Sequence, residues 1–292
     1  MKRKALILAV VTTVLWAGSY ILNKLAFQGG IGPLTLSGLR YLLASLILFG
    51  FGWKKSNQEA QPLPLEVILL LGIIGYAVAQ GLQYVGQSYL TPTQSSLFLS
   101  VGNTAFVMLA DRFWLRENQT RRDLSKLGFL LAGIALYYYP WDARNFSSAG
   151  MIFMALSSIG YALNMTINRR LLKTKRADTR TLVAKPMFVG ALILLVTGLL
   201  IEGVPVITGR LLLILLYLGG VSGALGFYLW TGSQSELTAF ESSSINNLLL
   251  IEIALMDFFL FKRSFSFLQI VAILIVFCAI LSIQSGIAIR KR

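Results

Sequence analysis

Residues 16–40 run Trp16-Ala-Gly-Ser19-Tyr20-Ile-Leu-Asn23-Lys24-Leu-Ala-Phe27-Gln-Gly-Gly-Ile-Gly-Pro33-Leu-Thr-Leu-Ser-Gly-Leu-Arg40, and the pattern returns 145 residues later. Trp16 then corresponds to Tyr161, Ser19 to Asn164, Asn23 to Asn168, Lys24 to Arg169 and Arg40 to Lys185. Tyr89-Leu-Thr-Pro-Thr-Gln-Ser-Ser96 is echoed by Glu236-Leu-Thr-Ala-Phe-Glu-Ser-Ser243 at an offset of 147, and Met108-Leu-Ala-Asp111 by Ala254-Leu-Met-Asp257 at 146. The chain therefore divides into two copies of one unit, residues 1–143 and 144–292. Repetition of whole halves in an apolar chain is itself a functional clue.

Hydrophobic residues make up 56% of the 292 residues and charged residues 13%, with a mean hydropathy of +0.71. That composition belongs to a membrane protein. The formal charge of +14 sits in short connections between apolar runs, without a nucleic-acid motif, so its partner is a bilayer with anionic lipid. One cysteine, Cys278, and no histidine leave no basis for a disulfide, a zinc site or histidine acid–base chemistry. The expected protein is not an enzyme and needs no metal or cofactor. Its start, Met1-Lys-Arg-Lys4 before an apolar run without a cleavage pattern, reads as a retained first helix.

Apolar windows long enough to cross a bilayer fall near residues 5–27, 33–52, 65–88, 93–110 and 122–139, then near 147–168, 181–201, 210–232, 240–259 and 265–287. The predicted fold is an all-α polytopic membrane protein of ten transmembrane helices, five per repeat. With the N-terminus cytoplasmic, 18 Lys and Arg fall in the inside connections, against Arg144, Arg210, Lys262 and Arg263 outside. Both termini are thus expected in the cytoplasm, in the inner membrane of a prokaryote. Because five is odd, the second repeat must run inverted. Inverted repeats let one central site face either side as the halves exchange conformations.

Polar residues inside the windows recur at helical spacing. Helix 1 carries Thr13, Trp16, Tyr20, Asn23 and Phe27 on one stripe, and helix 3 carries Tyr76, Gln80, Gln83 and Gln87. Helix 6 carries Ser157, Tyr161, Asn164 and Asn168, helix 4 Ser96, Ser100 and Asn103, and helix 9 Ser243 and Asn247. Any single Ser or Asn can serve as polar glue between packed helices. Amides and aromatics converging from both copies point instead to a small polar cavity. Its expected lining is Trp16, Tyr20, Asn23, Tyr76, Gln80, Gln83, Asn103, Tyr161, Asn164, Trp230 and Asn247.

Charge within the membrane is costly and therefore informative. Lys24 and Arg40 lie toward the outer ends of their helices with Asp257, while Arg169 and Lys185 lie toward the inner ends with Asp111. Two ionic gates follow as an expectation, an outer one of Lys24 or Arg40 with Asp257 and an inner one of Arg169 or Lys185 with Asp111. Snorkelling to headgroups is the competing account for Lys24, Arg169 and Lys185. Arg40 stands about 10 Å into its helix at roughly 1.5 Å per residue, and Lys24 or Arg40 equally suits a substrate carboxylate or phosphate. Glu252 is the acid nearest the middle of a span. Two readings stay open for it, a protonatable coupling site or a structural acceptor.

Ten helices in two inverted repeats, Trp16-Ala-Gly-Ser-Tyr-Ile-Leu-Asn-Lys24 in the first, Arg40 in helix 2 and Trp114-Leu-Arg-Glu117 before the Gly128 to Gly133 helix resemble the EamA-type members of the drug/metabolite transporter superfamily. The resemblance spans the chain and is specific as to fold but weak as to substrate. It implies a cavity between helices 1 to 4 and 6 to 9, with helices 5 and 10 to the side, and alternating access by rocking. Trp16, Asn23, Lys24, Arg40 and Glu117 carry over. The mid-helix proline frequent in helices 4 and 9 of the family is absent at Val101 to Asn103 and Leu250 to Glu252, and Lys262-Arg263 stand opposite Glu117.

The expected function is secondary transport, as an exporter of small amphipathic metabolites such as amino acids or analogues, with protons as a coupling ion and a monomer or homodimer as the unit. Exchange of organic anions or phosphorylated metabolites, import of an organic cation, and a membrane scaffold without cargo are the alternatives.

Overall fold

The computed structural model describes residues 2–50, 63–110, 121–137, 139, 147–174, 178–262 and 265–290. Among them there is no strand. The first half contributes α1 (Lys2–Gln28), α2 (Pro33–Gly50), α3 (Leu65–Tyr89), α4 (Pro92–Ala110) and α5 (Arg121–Tyr137). The second contributes α6 (Ser148–Lys173), α7 (Thr179–Glu202), α8 (Gly209–Ser233), α9 (239–261) and α10 (Phe267–Arg290). Seven of these helices are long and apolar enough to cross a membrane.

Helix starts follow the local sequence. Ser147 caps α6 by accepting from the Gly150 N–H, Asp178 caps α7 through Thr181, and Thr208 caps α8 through Leu211. Thr238 and Glu241 form a reciprocal capping box at the start of α9. Gly30 and Gly203, both at positive φ, turn the chain out of α1 and α7.

The two halves repeat one departure from the α-helix. In α3, residues Gly72–Gln80 widen into a π-helical segment, and in α8 Tyr217–Leu225 do the same, at the same offset of 145 that relates Trp16 to Tyr161. Both segments are rich in small residues, and backbones come close there. A Cβ on Gly72 would lie 2.9 Å from the Pro186 carbonyl oxygen of α7, and one on Gly223 would lie 2.9 Å from Cβ of Ala44 in α2. Small residues at such crossings let membrane helices gain van der Waals contact without a hydrophobic driving force. Widened turns also leave carbonyls for outside donors. Trp16 Nε1 donates to Ser222 O at 3.0 Å, and Ser157 Oγ to Ala79 O at 2.6 Å. Each half's first helix thus bonds to the widened segment of the other half.

Packing repeats under the same exchange of halves. α1 packs on α8 and α9 as α6 packs on α3 and α4, and α2 packs on α8 as α7 packs on α3. Three pairs are their own counterparts, among them α4 against α9. α2 lies against α7, where a Cβ on Gly38 would come 2.6 Å from the Leu195 backbone nitrogen. α5 lies against α10 to one side, in a separate cluster with Leu130, Ile134, Ala272 and Val276, all fully buried. Outward faces are apolar, with Leu200, Leu213, Phe259 and Phe267 more than two-thirds exposed, as a hydrocarbon surround requires.

α9 is interrupted. A turn at Asn247 separates Ala239–Asn246 from Leu248–Phe261, with Asn247 N–H bonded to Ser244 O and Leu250 N–H to Asn247 O. The second-half helix thus breaks next to Leu250 to Glu252 without a proline.

Candidate functional site

Seven helices, α1 to α4 with α6, α8 and α9, surround a cavity of ≈ 410 Å³, open solvent at its mouth included. Its walls are apolar at Trp16, Phe227, Leu99 and Leu249, and polar at Ser19, Tyr20, Arg40, Gln80, Gln83, Asn103, Tyr161 and Asn246. Its chemistry is that of a small-molecule site, apolar walls with a few aimed polar groups.

The wall is built from the helix stripes. Trp16 is fixed by its bond to Ser222 O and by rings of Phe227 and Trp230, each 5.1 Å away centre to centre. Tyr20 Oη accepts from Gln83 Nε2 at 3.2 Å, and Gln80 Oε1 accepts from Tyr41 Oη at 2.7 Å. Asn103 is buried with Oδ1 lacking a hydrogen-bond donor. Arg40, 3% exposed, donates through Nη2 to Ser222 Oγ at 2.7 Å and through Nη1 to Tyr84 Oη. Its guanidinium stands over the rings of Tyr41 and Tyr84, at 5.2 and 5.7 Å.

Of the expected lining, Trp16, Tyr20, Gln80, Gln83, Asn103 and Tyr161 stand on the cavity wall. The other five are placed elsewhere. Trp230 backs Trp16, and Tyr76 joins the ring cluster of Tyr41 and Phe227. Asn23 donates to Gln87 Oε1 at 2.7 Å, and Asn164 lies against Gly75, accepting from Asn168 at 3.4 Å. Asn247 is turned to α4, donating to Thr104 Oγ1 at 3.0 Å, and its neighbour Asn246 faces the cavity instead. The break at Asn247 removes the register from which the stripe of α9 was read. Phe227, Leu99 and Leu249 carry no polar atom to distinguish them from core residues in the sequence. Ser19 sits on the opening repeat motif, and its match to Asn164 was the available signal.

The gate residues divide. Asp111 and Glu117 lie outside the described residues, as does the side chain of Asp257. Lys185, the counterpart of Arg40, is exposed. Arg169 is buried toward the C-terminal end of α6 and donates to Gln234 O at 2.6 Å and to Leu237 O, tying α6 to the α8–α9 connection. Lys2 pairs with the fully buried Glu241 at the same end of the protein. At the other end Lys24 borders a smaller hollow of ≈ 160 Å³ with Phe27, Gln87, Pro92 and Ser95. Tyr20 belongs to the walls of both hollows. Glu252 accepts from Thr13 Oγ1 at 2.9 Å, and its Oε2 is buried without a donor. It stands one helical turn beyond Leu249 of the cavity wall.

Residues 3–139 and 148–284 each match the model of the EamA-like transporter family. The chain is 24% identical over 251 residues to an uncharacterized transporter of Archaeoglobus fulgidus, covering 84% of each chain. It is 22% identical over 244 residues to the biotin transporter of Escherichia coli, covering 82% of this chain and 80% of that one. Over 177 residues it is 25% identical to the S-adenosylmethionine/S-adenosylhomocysteine transporter of Chlamydia trachomatis, covering 57% of this chain and 54% of that one. A crystal structure superposes with a TM-score of 0.78 over 99% of both chains at 15% identity, a likeness of fold.

Proposed function

The chain belongs to the EamA-like transporter family and is a multi-pass membrane transporter of small molecules rather than an enzyme, and on that premise we propose alternating access at the cavity between its halves. The observation that carries this reading is the cavity itself, lined by rings and amides from both halves and bordered by matched π-helical segments. The repeats are residues 1–143 and 144–292, inverted relative to each other. The α2–α7 pair supports that inversion, because these two counterpart helices run antiparallel, Glu202 at the end of α7 meeting the start of α2 and Arg180 at the start of α7 meeting its end. Both termini lie in the cytoplasm of a prokaryotic cell, as the basic connections favour.

The cargo is a small amphipathic metabolite, and export is the direction we assign. Two relatives are named for small organic molecules, biotin and S-adenosylmethionine, which agrees with a cavity that mixes rings and hydrogen-bonding groups. The Arg169 tie and the Lys2–Glu241 pair close the inner end, and at the outer end the narrow crevice beside Lys24 meets the cavity wall at Tyr20. Opening toward the cytoplasm then requires Arg169 to release the α8–α9 connection. Glu252, with one oxygen unpartnered, is the group we assign to proton coupling.

Counterflow in proteoliposomes tests the reading. Vesicles preloaded with a candidate metabolite should accumulate the labelled compound above equilibrium in a protein-dependent way. If no compound that binds the protein is exchanged, the scaffold reading takes its place.

A further inference from the structure

The cavity carries a positive charge, that of Arg40, which none of the described residues neutralises. Every hydrogen-bond partner of Arg40 is neutral: the Tyr84 and Ser222 hydroxyls take one Nη each, and Nε, buried, has no acceptor. A guanidinium has five N–H donors, and two are used. In a low-dielectric interior an unpaired cation is costly to hold, and natural proteins keep one where a counter-charge arrives. The two-fold pattern is broken here, since Lys185 at the matching position is exposed and adds no second charge. Glu252 offers no relief in this arrangement. It sits on α9 and is bonded by Thr13 of α1, not by Arg40.

Resting on the transport reading above, we propose that Arg40 is the anion anchor of the cavity and that the cargo is an organic monocarboxylate with an apolar or aromatic body. The remaining N–H groups suit the flat, two-oxygen face of a carboxylate, which guanidinium binds in bidentate fashion. Trp16, Phe227, Leu99 and Leu249 receive the apolar body. Asn103 Oδ1, unpartnered on the same wall, takes an N–H or O–H donor of the cargo. One guanidinium balances one negative charge. A phosphomonoester dianion leaves a second charge uncompensated inside the membrane, so the carboxylate is preferred over the phosphate. This ranks the organic-anion reading of the sequence and removes its phosphorylated branch.

The test uses the full-length protein with three probes of one shape, 1-naphthylacetate, 1-naphthylacetamide and 1-naphthyl phosphate, read by ligand-dependent thermal stabilisation. The acid should bind at least about tenfold more tightly than the amide, the loss expected when a charge-assisted bidentate pair is removed. It should also bind more tightly than the phosphate. In Arg40→Gln the acid should fall to the level of the amide while the amide is unchanged, and Arg40→Lys should recover part of the difference because it keeps the charge and loses the planar fork. Equal binding of acid and amide, an acid insensitive to Arg40→Gln, preference for the phosphate, or no binding of any probe each overturns the anchor. If Arg40→Gln does not fold, the comparison of acid with amide on the unaltered protein decides. An amide that binds as tightly as the acid and is exchanged in counterflow removes the anchor and leaves the transporter standing, whereas binding without exchange of any probe removes the transport reading.

Discussion

The carboxylate of Glu202, at the last turn of α7, accepts the Thr35 N–H at 2.8 Å and the Thr35 hydroxyl at 2.7 Å, and its other oxygen takes the Leu34 N–H at 2.9 Å. These are the first amides of α2, which have no partner within their own helix. At the opposite end Arg180, in the first turn of α7, donates to Leu48 O at 2.8 Å and Phe49 O at 2.7 Å, the last carbonyls of α2. One helix of the second half therefore holds both ends of one helix of the first, each with the charge that the helix dipole favours. The α2–α7 pair is antiparallel, glycine-packed and clasped, so under the alternating access proposed above it is the pair expected to stay fixed.

Glu202→Ala should lower stability by roughly 1–3 kcal/mol, since charged acceptors to several N–H groups are lost at once. The thermal midpoint of the detergent-purified protein should fall, and Arg180→Ala should lower it by a similar amount. An unchanged midpoint in both would remove the clasp.

Packing of the same pair is open to a sharper substitution. Gly38→Ala places a methyl 2.6 Å from the Leu195 backbone nitrogen, which has no rotamer by which to yield. A loss of about 1–3 kcal/mol is expected from the overpacking. Gly128→Ala in α5, where nothing lies within 4 Å, should be neutral or slightly stabilising.

Much of this architecture was legible in the sequence because the bilayer makes hydropathy decisive. The helix windows match the observed helices to within a few residues, and the offset of 145 that pairs Trp16 with Tyr161 also pairs the two π-helical segments. The segments themselves were not foreseen, since Gly-Ile-Ile-Gly and Gly-Gly-Val-Ser read equally well as α-helix. In the cavity, periodicity gave the face of a helix and not the depth of a side chain along it. Tyr76 and Gln80 share one stripe, yet Tyr76 packs among rings while Gln80 reaches the cavity. The clasp was hidden for another reason. Glu202 and Arg180 stand at helix ends, where charge ordinarily means solvent, and only the α2–α7 crossing brings them to the ends of α2.

Release of the inner end is a separate expectation. Arg169→Ala removes the donor to Gln234 O and Leu237 O, so the α8–α9 connection should open more readily. A cysteine in the cavity should then react faster with a membrane-impermeant reagent applied from the cytoplasmic side. A rate no faster than in the parent protein would mean that Arg169 is structural only.

Proton coupling makes its own demand on Glu252. Glu252→Gln keeps the acceptor for Thr13 and abolishes titration, so the dependence of uptake on pH should flatten while counterflow at fixed pH persists. Identical pH profiles would return Glu252 to the role of a structural acceptor.

Accessibility of Gln83 from each side of the membrane bears most directly on alternating access. With Cys278 replaced by serine, Gln83→Cys is treated with an impermeant thiol reagent in right-side-out and in inverted vesicles, beside Asn247→Cys, whose amide is buried against Thr104. We expect Gln83→Cys to react from both sides, at rates that shift in opposite directions when cargo is added, and Asn247→Cys to remain protected. A Gln83→Cys that resists the reagent from both sides would contradict the account, because the cavity would then be packed interior and not a path.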